Sequence, residues 1–180
     1  MRKFILCVVL STTIFIAQAQ TEQGDWMVGG GFRLNTSDNN TLISLNPDAG
    51  AFVIRRLAIG GNVDLTYSKV GDIRDTYFGI GPFVRYYFSK ANVKPIVHGK
   101  FNFVTEKTKI PSGSDSNTGI NYFLGAGAAI FISEQVSIDA LMGYDHTKIK
   151  DFDGSGGFAM TIGFQVYLLK HQVDRVRGRQ

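Results

Sequence analysis

The stretch that decides the fold is Phe78-Gly79-Ile80-Gly81-Pro82-Phe83-Val84-Arg85-Tyr86-Tyr87-Phe88. Taken in alternation, Phe78, Ile80, Pro82, Val84, Tyr86 and Phe88 make one face that is wholly apolar or aromatic. Gly79, Gly81, Phe83, Arg85 and Tyr87 make a mixed one. A period of two is a β-strand whose faces meet different surroundings. The same alternation runs upstream through Ile59, Gly61, Val63, Leu65 and Tyr67, set against Gly60, Asn62, Asp64, Thr66 and Ser68. Downstream it returns in Val136, Ile138, Ala140, Met142 and Tyr144, and again in Phe158, Met160, Ile162, Phe164, Val166 and Leu168.

Extending this reading along the chain predicts strands over 24–35, 41–53, 57–68, 75–88, 94–105, 118–132, 135–146 and 157–168. A strand in a soluble sheet usually has about five or six residues, whereas one crossing a bilayer at a tilt needs about 9 to 11. The lengths therefore favour an all-β, eight-stranded, antiparallel, up-and-down transmembrane β-barrel. A closed sheet also leaves no unpaired backbone group in lipid. Short connections at 54–56, 89–93 and 133–134 alternate with longer polar ones at 36–40, 69–74, 106–117 and 147–156. Turns on one rim and loops on the other is the habit of outer-membrane barrels, with the turns in the periplasm.

The N-terminus is of another character. Arg2 and Lys3 precede an apolar run from Phe4 to Ile16, and Ala17-Gln18-Ala19 follows. These are the parts of a cleavable signal peptide, and the apolar run is shorter than the roughly 20 residues of a membrane-spanning helix. The expected organisation is a signal peptide over 1–19 with cleavage after Ala19, a barrel over 20–168 and a basic periplasmic tail over 169–180. The single cysteine, Cys7, falls in the signal segment, so the mature chain is expected to have no thiol chemistry. Losing Arg2 and Lys3 lowers the formal charge from +4 to +2, and much of that excess sits in the tail at Lys170, Arg175, Arg177 and Arg179. Nothing here asks for nucleic acid.

The segment SLNPDAGAFVIRRLAIGGNVDLTYSK, residues 44–69, together with FGIGPFVRYYF, residues 78–88, resembles the second to fourth strands of the small outer-membrane β-barrel proteins abundant in Bacteroidetes. That family is similar in architecture to the outer membrane protein A and X barrels. The resemblance covers nearly the whole mature chain and implies a Gram-negative outer-membrane barrel, with no catalytic residues. Chains of that family commonly stop at an aromatic residue closing the last strand, whereas here Leu168 and Leu169 continue into Lys170–Gln180.

Energetics decides which face is outside, since a Lys or Arg facing lipid at mid-membrane costs about 2–4 kcal/mol. The apolar faces must meet lipid. That directs Arg33, Asp48, Asn62, Asp64, Arg85, His98, Lys100, Asn102, Asn121, Asp139 and Gln165 into the lumen. There Arg33, Arg85 and Lys100 are placed to pair with Asp48, Asp64 and Asp139. A barrel of about eight strands is narrow enough for side chains to fill it, so a plugged interior is expected. A lipocalin would show the reverse, a greasy interior and a polar exterior. Outward aromatics should form two belts: Trp26, Tyr86 and Phe88 on the periplasmic side, and Tyr67, Phe78, Tyr122, Tyr144 and Phe158 on the other.

Chemical motifs are sparse. Gly29-Gly30-Gly31 and Gly125-Ala126-Gly127 lack the strand-to-helix context of a phosphate loop. Asp151-Phe152-Asp153-Gly154-Ser155-Gly156 has part of a calcium loop's ligand pattern but no terminal glutamate, which favours a surface loop. No two histidines have metal-ligand spacing, and His98 fits a hydrogen-bonded lumen residue. No metal or cofactor is expected. Asp145 and His146 end one strand and Ser68 another, which keeps a lipid-modifying rim enzyme as an alternative, without a nucleophile motif to support it. A narrow porin-like channel is the other. The favoured expectation is a non-enzymatic, monomeric barrel embedded in the outer-membrane bilayer. It would act in envelope structure or adhesion and meet an extracellular ligand through the loops 106–117 and 147–156.

Overall fold

The structure, a computed structural model, describes residues 21–37, 40–89, 91–111, 113–150 and 153–170. The expected signal peptide with Ala19, most of the basic tail, and Asp151 and Phe152 lie outside the described residues. So does the side chain of Arg33. Eight strands follow one another: β1 (Trp26–Ser37), β2 (Asn40–Ile54), β3 (Leu57–Val70), β4 (Ile73–Tyr87), β5 (Val93–Ile110), β6 (Gly113–Phe131), β7 (Val136–Ile149) and β8 (Ser155–Leu168). Each pairs antiparallel with its neighbour, and β8 returns to β1 to close the barrel. The terminal rim carries the start of β1, the end of β8 and the turns after β2, β4 and β6. The distal rim carries the other connections.

Alternation in sequence becomes alternation across the wall. In β4, Phe83, Arg85 and Tyr87 are buried while Phe78, Ile80 and Val84 are exposed. Ile59, Leu65, Phe103, Leu124, Ile138, Met142, Met160 and Ile162 are exposed on the other strands. An apolar exterior and a polar, partly charged interior invert the arrangement of a soluble barrel, leaving a band suited to lipid. Neighbouring rings on this surface meet edge to face, Tyr86 with Phe88 at 4.9 Å and Phe101 with Phe103 at 5.4 Å between centroids.

The distal connections differ from the expectation drawn from sequence. The segment 106–117 is not an extended loop: Glu106 pairs with Asn117, and the ladder continues to Ile110 and Gly113 at the tip. Likewise 147–149 and 155–156 belong to β7 and β8, leaving only 150–154 as a connection. The same holds for 69–74, where the strands run to Val70 and from Ile73 and leave a two-residue turn with Gly71 at φ 59°. Above the membrane both faces of a hairpin meet water, so the apolar alternation that marks a strand fades while the backbone pairing persists. The rims therefore differ in how far their strands rise, not in loop length.

At the terminal rim, the turn after β2 is Arg55-Arg56, with Arg56 at φ 68° and a register shift between Phe52 and Ile54. A non-glycine residue in the left-handed region needs support from its surroundings. Here the Arg56 N–H donates to the Thr21 carbonyl at 2.9 Å, and its own carbonyl accepts from the Tyr87 N–H at 2.9 Å. Residues ahead of β1 are thereby tied across this end. The Gly24 N–H donates to Phe52, the Phe52 N–H donates to the Asp25 carbonyl, and the Asp25 carboxylate accepts from the Lys170 N–H at 3.0 Å.

Candidate functional site: a stratified lumen

Inward-facing residues stack in layers along the barrel axis. Nearest the terminal rim lies an apolar and aromatic layer of Met27, Phe52, Tyr87, Ile96, Phe131 and Tyr167, each buried. The ring of Phe131 lies 4.9 Å from that of Tyr167, and Phe52 lies 5.6 Å from Tyr87. The Tyr87 and Tyr167 hydroxyls are 3.0 Å apart, and Tyr167 also meets Ser137 Oγ at 3.2 Å. Six large side chains from β1, β2, β4, β5, β6 and β8 thus converge where a passage would have to run.

The next layer is ionic. Arg85 from β4 donates through Nη1 to Asp139 Oδ2 of β7 at 2.8 Å and through Nε to His98 Nδ1 of β5 at 3.1 Å. Its Nη2 lies 3.7 Å from Asp48 Oδ2 of β2. Asp48 also accepts from Gln165 Nε2 at 3.0 Å, and Asp139 accepts from Ser137 Oγ at 2.6 Å. One guanidinium with only 3% of its side chain exposed therefore connects four walls of the barrel. Arginine suits this position because its several N–H groups are fixed in one plane and can serve several acceptors together.

Phe83 and Phe123 flank His98 at 5.4 and 6.1 Å. Both rings need the glycines opposite them. A Cβ on Gly60 would sit 2.7 Å from Phe83 Cε1, and one on Gly125 would sit 2.5 Å from Phe123 Cζ. Further toward the distal rim, Lys100 Nζ pairs with Asp64 Oδ2 at 2.6 Å, Asn102 Nδ2 donates to the same oxygen at 2.7 Å, and Asn46 Nδ2 donates to Oδ1 at 2.9 Å.

Above these groups the lumen widens into a vestibule of about 420 Å³, lined by Ser44, Asn46, Asp64, Thr66, Tyr77, Lys100, Asn121, Asp145, Thr147 and Thr161 among others. A smaller space of about 110 Å³ continues down to Arg85. The aromatic layer lies beyond it.

Of the residues singled out from sequence, Asp48, Arg85 and Asp139 share one cluster, while Asp64 and Lys100 share a second. Asn102 joins the second cluster, and His98 and Gln165 join the first. Missed were Tyr87, Tyr167, Ser137 and Met27. Their inward positions follow from the period of two, but a tyrosine in a barrel strand does not by itself distinguish a lumen plug from an interfacial ring. Asp145 and His146 are adjacent in a strand and so face opposite sides. Asp145 accepts from Asn121 in the lumen, whereas His146 stacks on Tyr122 and Tyr144 at 5.1 and 6.3 Å. Glycines of the would-be calcium loop pack here instead, since a Cβ on Gly154 would sit 2.6 Å from His146 Nε2. Among the described residues, no group of three or more His, Cys, Asp or Glu is arranged to hold a metal.

The model of the outer membrane protein beta-barrel domain matches residues 4–168. The chain belongs to that family. It is an outer-membrane protein, and its barrel is embedded in the outer-membrane bilayer. No curated protein matches it. Among solved structures, Neisserial surface protein A is similar at a TM-score of 0.55 and 19% identity, covering 79% of this chain and 92% of that one. The N-terminal β-barrel domain of Pseudomonas aeruginosa OprF gives 0.54 and 13%, covering 81% and 98%. Ail, the attachment invasion locus protein of Yersinia pestis, gives 0.54 and 16%, covering 81% and 99%. At such identities the likeness of this outer-membrane barrel to them is one of fold.

Proposed function

We propose that this outer-membrane barrel is a monomeric, non-conducting and non-enzymatic scaffold that presents its distal rim as an extracellular binding surface. The signal peptide over 1–19 delivers it, and the terminal rim faces the periplasm. The observation that carries the sealed lumen is the pair of stacked layers, Tyr87 and Tyr167 hydroxyl to hydroxyl below and Arg85 braced between Asp48 and Asp139 above. A porin-like passage would have to break both. An enzyme at the distal rim is disfavoured because the carboxylate of Asp145 and the imidazole of His146 point apart, each engaged elsewhere.

The binding reading rests on the hairpin β5–β6. β6 pairs with β7 only as far as Gly119 and Ile149, whereas it pairs with β5 up to Gly113. One edge of residues 113–117 therefore lies outside the β6–β7 ladder above the membrane, beside exposed Lys107, Lys109 and Ile110. A strand edge of this kind can accept an added strand, with main-chain hydrogen bonds for affinity and flanking side chains for choice. A comparable barrel carries the name of attachment and invasion in Yersinia pestis.

The test compares the full chain with a variant in which residues 107–116 are replaced by Asn-Gly. Both are assayed for planar-bilayer conductance and, displayed on cells, for adherence to immobilised extracellular-matrix extract. The expected result is no unitary conductance in either and an adherence at least fivefold lower in the variant. Stable conductance steps would refute the sealed lumen, and equal adherence would refute the hairpin's role.

A further inference from the structure

Toward the distal rim, the charges on β3, β4, β5 and β6 are sorted by face. Ladder partners share a face of the sheet, and successive residues take opposite faces. Leu65 and Phe78 are partners on the outer wall, and two residues further along Tyr67 and Thr76 are the next pair. Two residues further again, Lys69 pairs with Arg74 and Arg74 with Lys109, so three exposed cations stand side by side on three strands. Hydroxyls flank the row, Thr41 on β2 and Ser114 on β6. Lys107 stands beside Thr76 in the row beneath. The carboxylates of these strands, Asp64, Asp75, Glu106 and Asp115, all take the opposite face, and Asp72 lies in the turn after β3. Between Leu57 and Phe131 only Lys90, at the terminal rim, and Ser112, which has no charge, lie outside the described residues. Among the described residues, none of the four outward cations is in an ion pair.

Like charges directly opposite one another on a sheet repel, and no strand carboxylate offsets them on this face. Beneath Lys69 and Arg74 the outer wall carries an apolar groove of about 190 Å³, lined by Ile43, Leu45, Leu65, Tyr67 and Thr76 among others. We infer that the row Lys69, Arg74 and Lys109 binds the phosphate-bearing, net-anionic head of a membrane lipid, with one of its acyl chains lying in this groove. Strands are about 4.8 Å apart, so the row spans about 10 Å and closes on a head from both sides. Arginine at its centre presents two parallel N–H groups to phosphate oxygens, and the flanking lysines bring charge on flexible stems. At about 3.3 Å per residue the row lies about 7 Å along the strand from Tyr67, whose ring suits the head-group level. Basic side chains at a membrane surface attract anionic heads. The groove decides for a lipid over a soluble polyanion such as a sulfated polysaccharide, which gains nothing from an apolar furrow beneath its charges. The site is separate from the strand edge at 113–117, because Lys69 and Arg74 belong to β3 and β4.

The test offers the full chain, in detergent, equal amounts of phosphatidylglycerol and phosphatidylcholine, whose heads share a phosphate and differ in net charge. Bound lipid is counted by native mass spectrometry. Phosphatidylglycerol should be preferred, and Arg74→Gln should cut its retention about fivefold, the worth of about one surface cation. Lys148→Gln, which removes the same charge from exposed β7, should change retention by less than about twofold. Equimolar glycerol phosphate or heparin should leave the bound lipid in place. In phosphatidylcholine vesicles Arg74→Gln should raise the urea midpoint, because it relieves Lys69 and Lys109, whereas in phosphatidylglycerol vesicles it should lower it. Equal retention of the two lipids, or equal losses in the two variants, would overturn the inference. So would displacement by glycerol phosphate or heparin, which would mean that the row serves a soluble anion. A midpoint that falls in both kinds of vesicle would also overturn it, showing that Arg74 only braces the sheet.

Discussion

Arg85 Nη1 lies 2.8 Å from Asp139 Oδ2, joining β4 to β7 through the centre of the barrel with both side chains almost wholly buried. A buried pair of this kind is not a large net source of stability, because both ions have been taken out of water. Its strength lies in the asymmetry of its loss. Asp139→Ala leaves a buried guanidinium with Asp48 as its remaining close carboxylate, and should cost about 3–5 kcal/mol. Arg85→Met combined with Asp48→Asn and Asp139→Asn should cost less than Asp139→Ala alone. Urea unfolding in phospholipid vesicles, followed through the single tryptophan Trp26, measures both.

The glycines of the lumen make separate predictions according to what stands opposite. At Gly60 a Cβ would meet the Ala49 carbonyl at 2.2 Å as well as the Phe83 ring, and backbone cannot step aside. At Gly79 the nearest atom is the Val104 methyl at 3.2 Å, the end of a side chain. Gly60→Ala should therefore destabilise by about 1–3 kcal/mol or more, as overpacking does, while Gly79→Ala should fall below about 1 kcal/mol. The same urea titrations separate the two.

Lipid-facing positions should reject charge. Leu124, exposed at the middle of β6, should cost about 2–4 kcal/mol as Leu124→Arg. Thr161→Lys, on the vestibule side of β8, should stay within about 0.5 kcal/mol. Equal penalties at the two sites would contradict the assignment of faces.

Processing gives a prediction independent of the fold. Protein recovered from outer membranes should begin at Gln20, and Ala19→Arg should accumulate the uncut precursor. N-terminal sequencing and intact mass read both outcomes.

The fold was legible because a bilayer imposes its own sequence pattern: long runs of period two, apolar on one face and tolerant of Arg85 or Asp139 on the other. The lumen's ion pairs were legible as a set of inward charges. Their partition was not, because which carboxylate reaches Arg85 depends on stagger between strands far apart in sequence, such as Asp48 in β2 and Asp139 in β7. The hairpin at 106–117 read as loop because its residues are polar on both faces, and pairing there leaves no trace in hydropathy.

The central claim is that apolar side chains face lipid while their immediate neighbours face an enclosed polar interior. β3 tests it most directly, with Ile59, Val63 and Leu65 on one side and Asn62, Asp64 and Thr66 on the other. Single cysteines at these six positions, in a Cys7→Ser background and labelled with bimane, can be reconstituted in vesicles containing brominated phospholipid. The account predicts strong quenching at residues 59, 63 and 65 and little at 62, 64 and 66. Uniform quenching along the strand, or the opposite alternation, would contradict it.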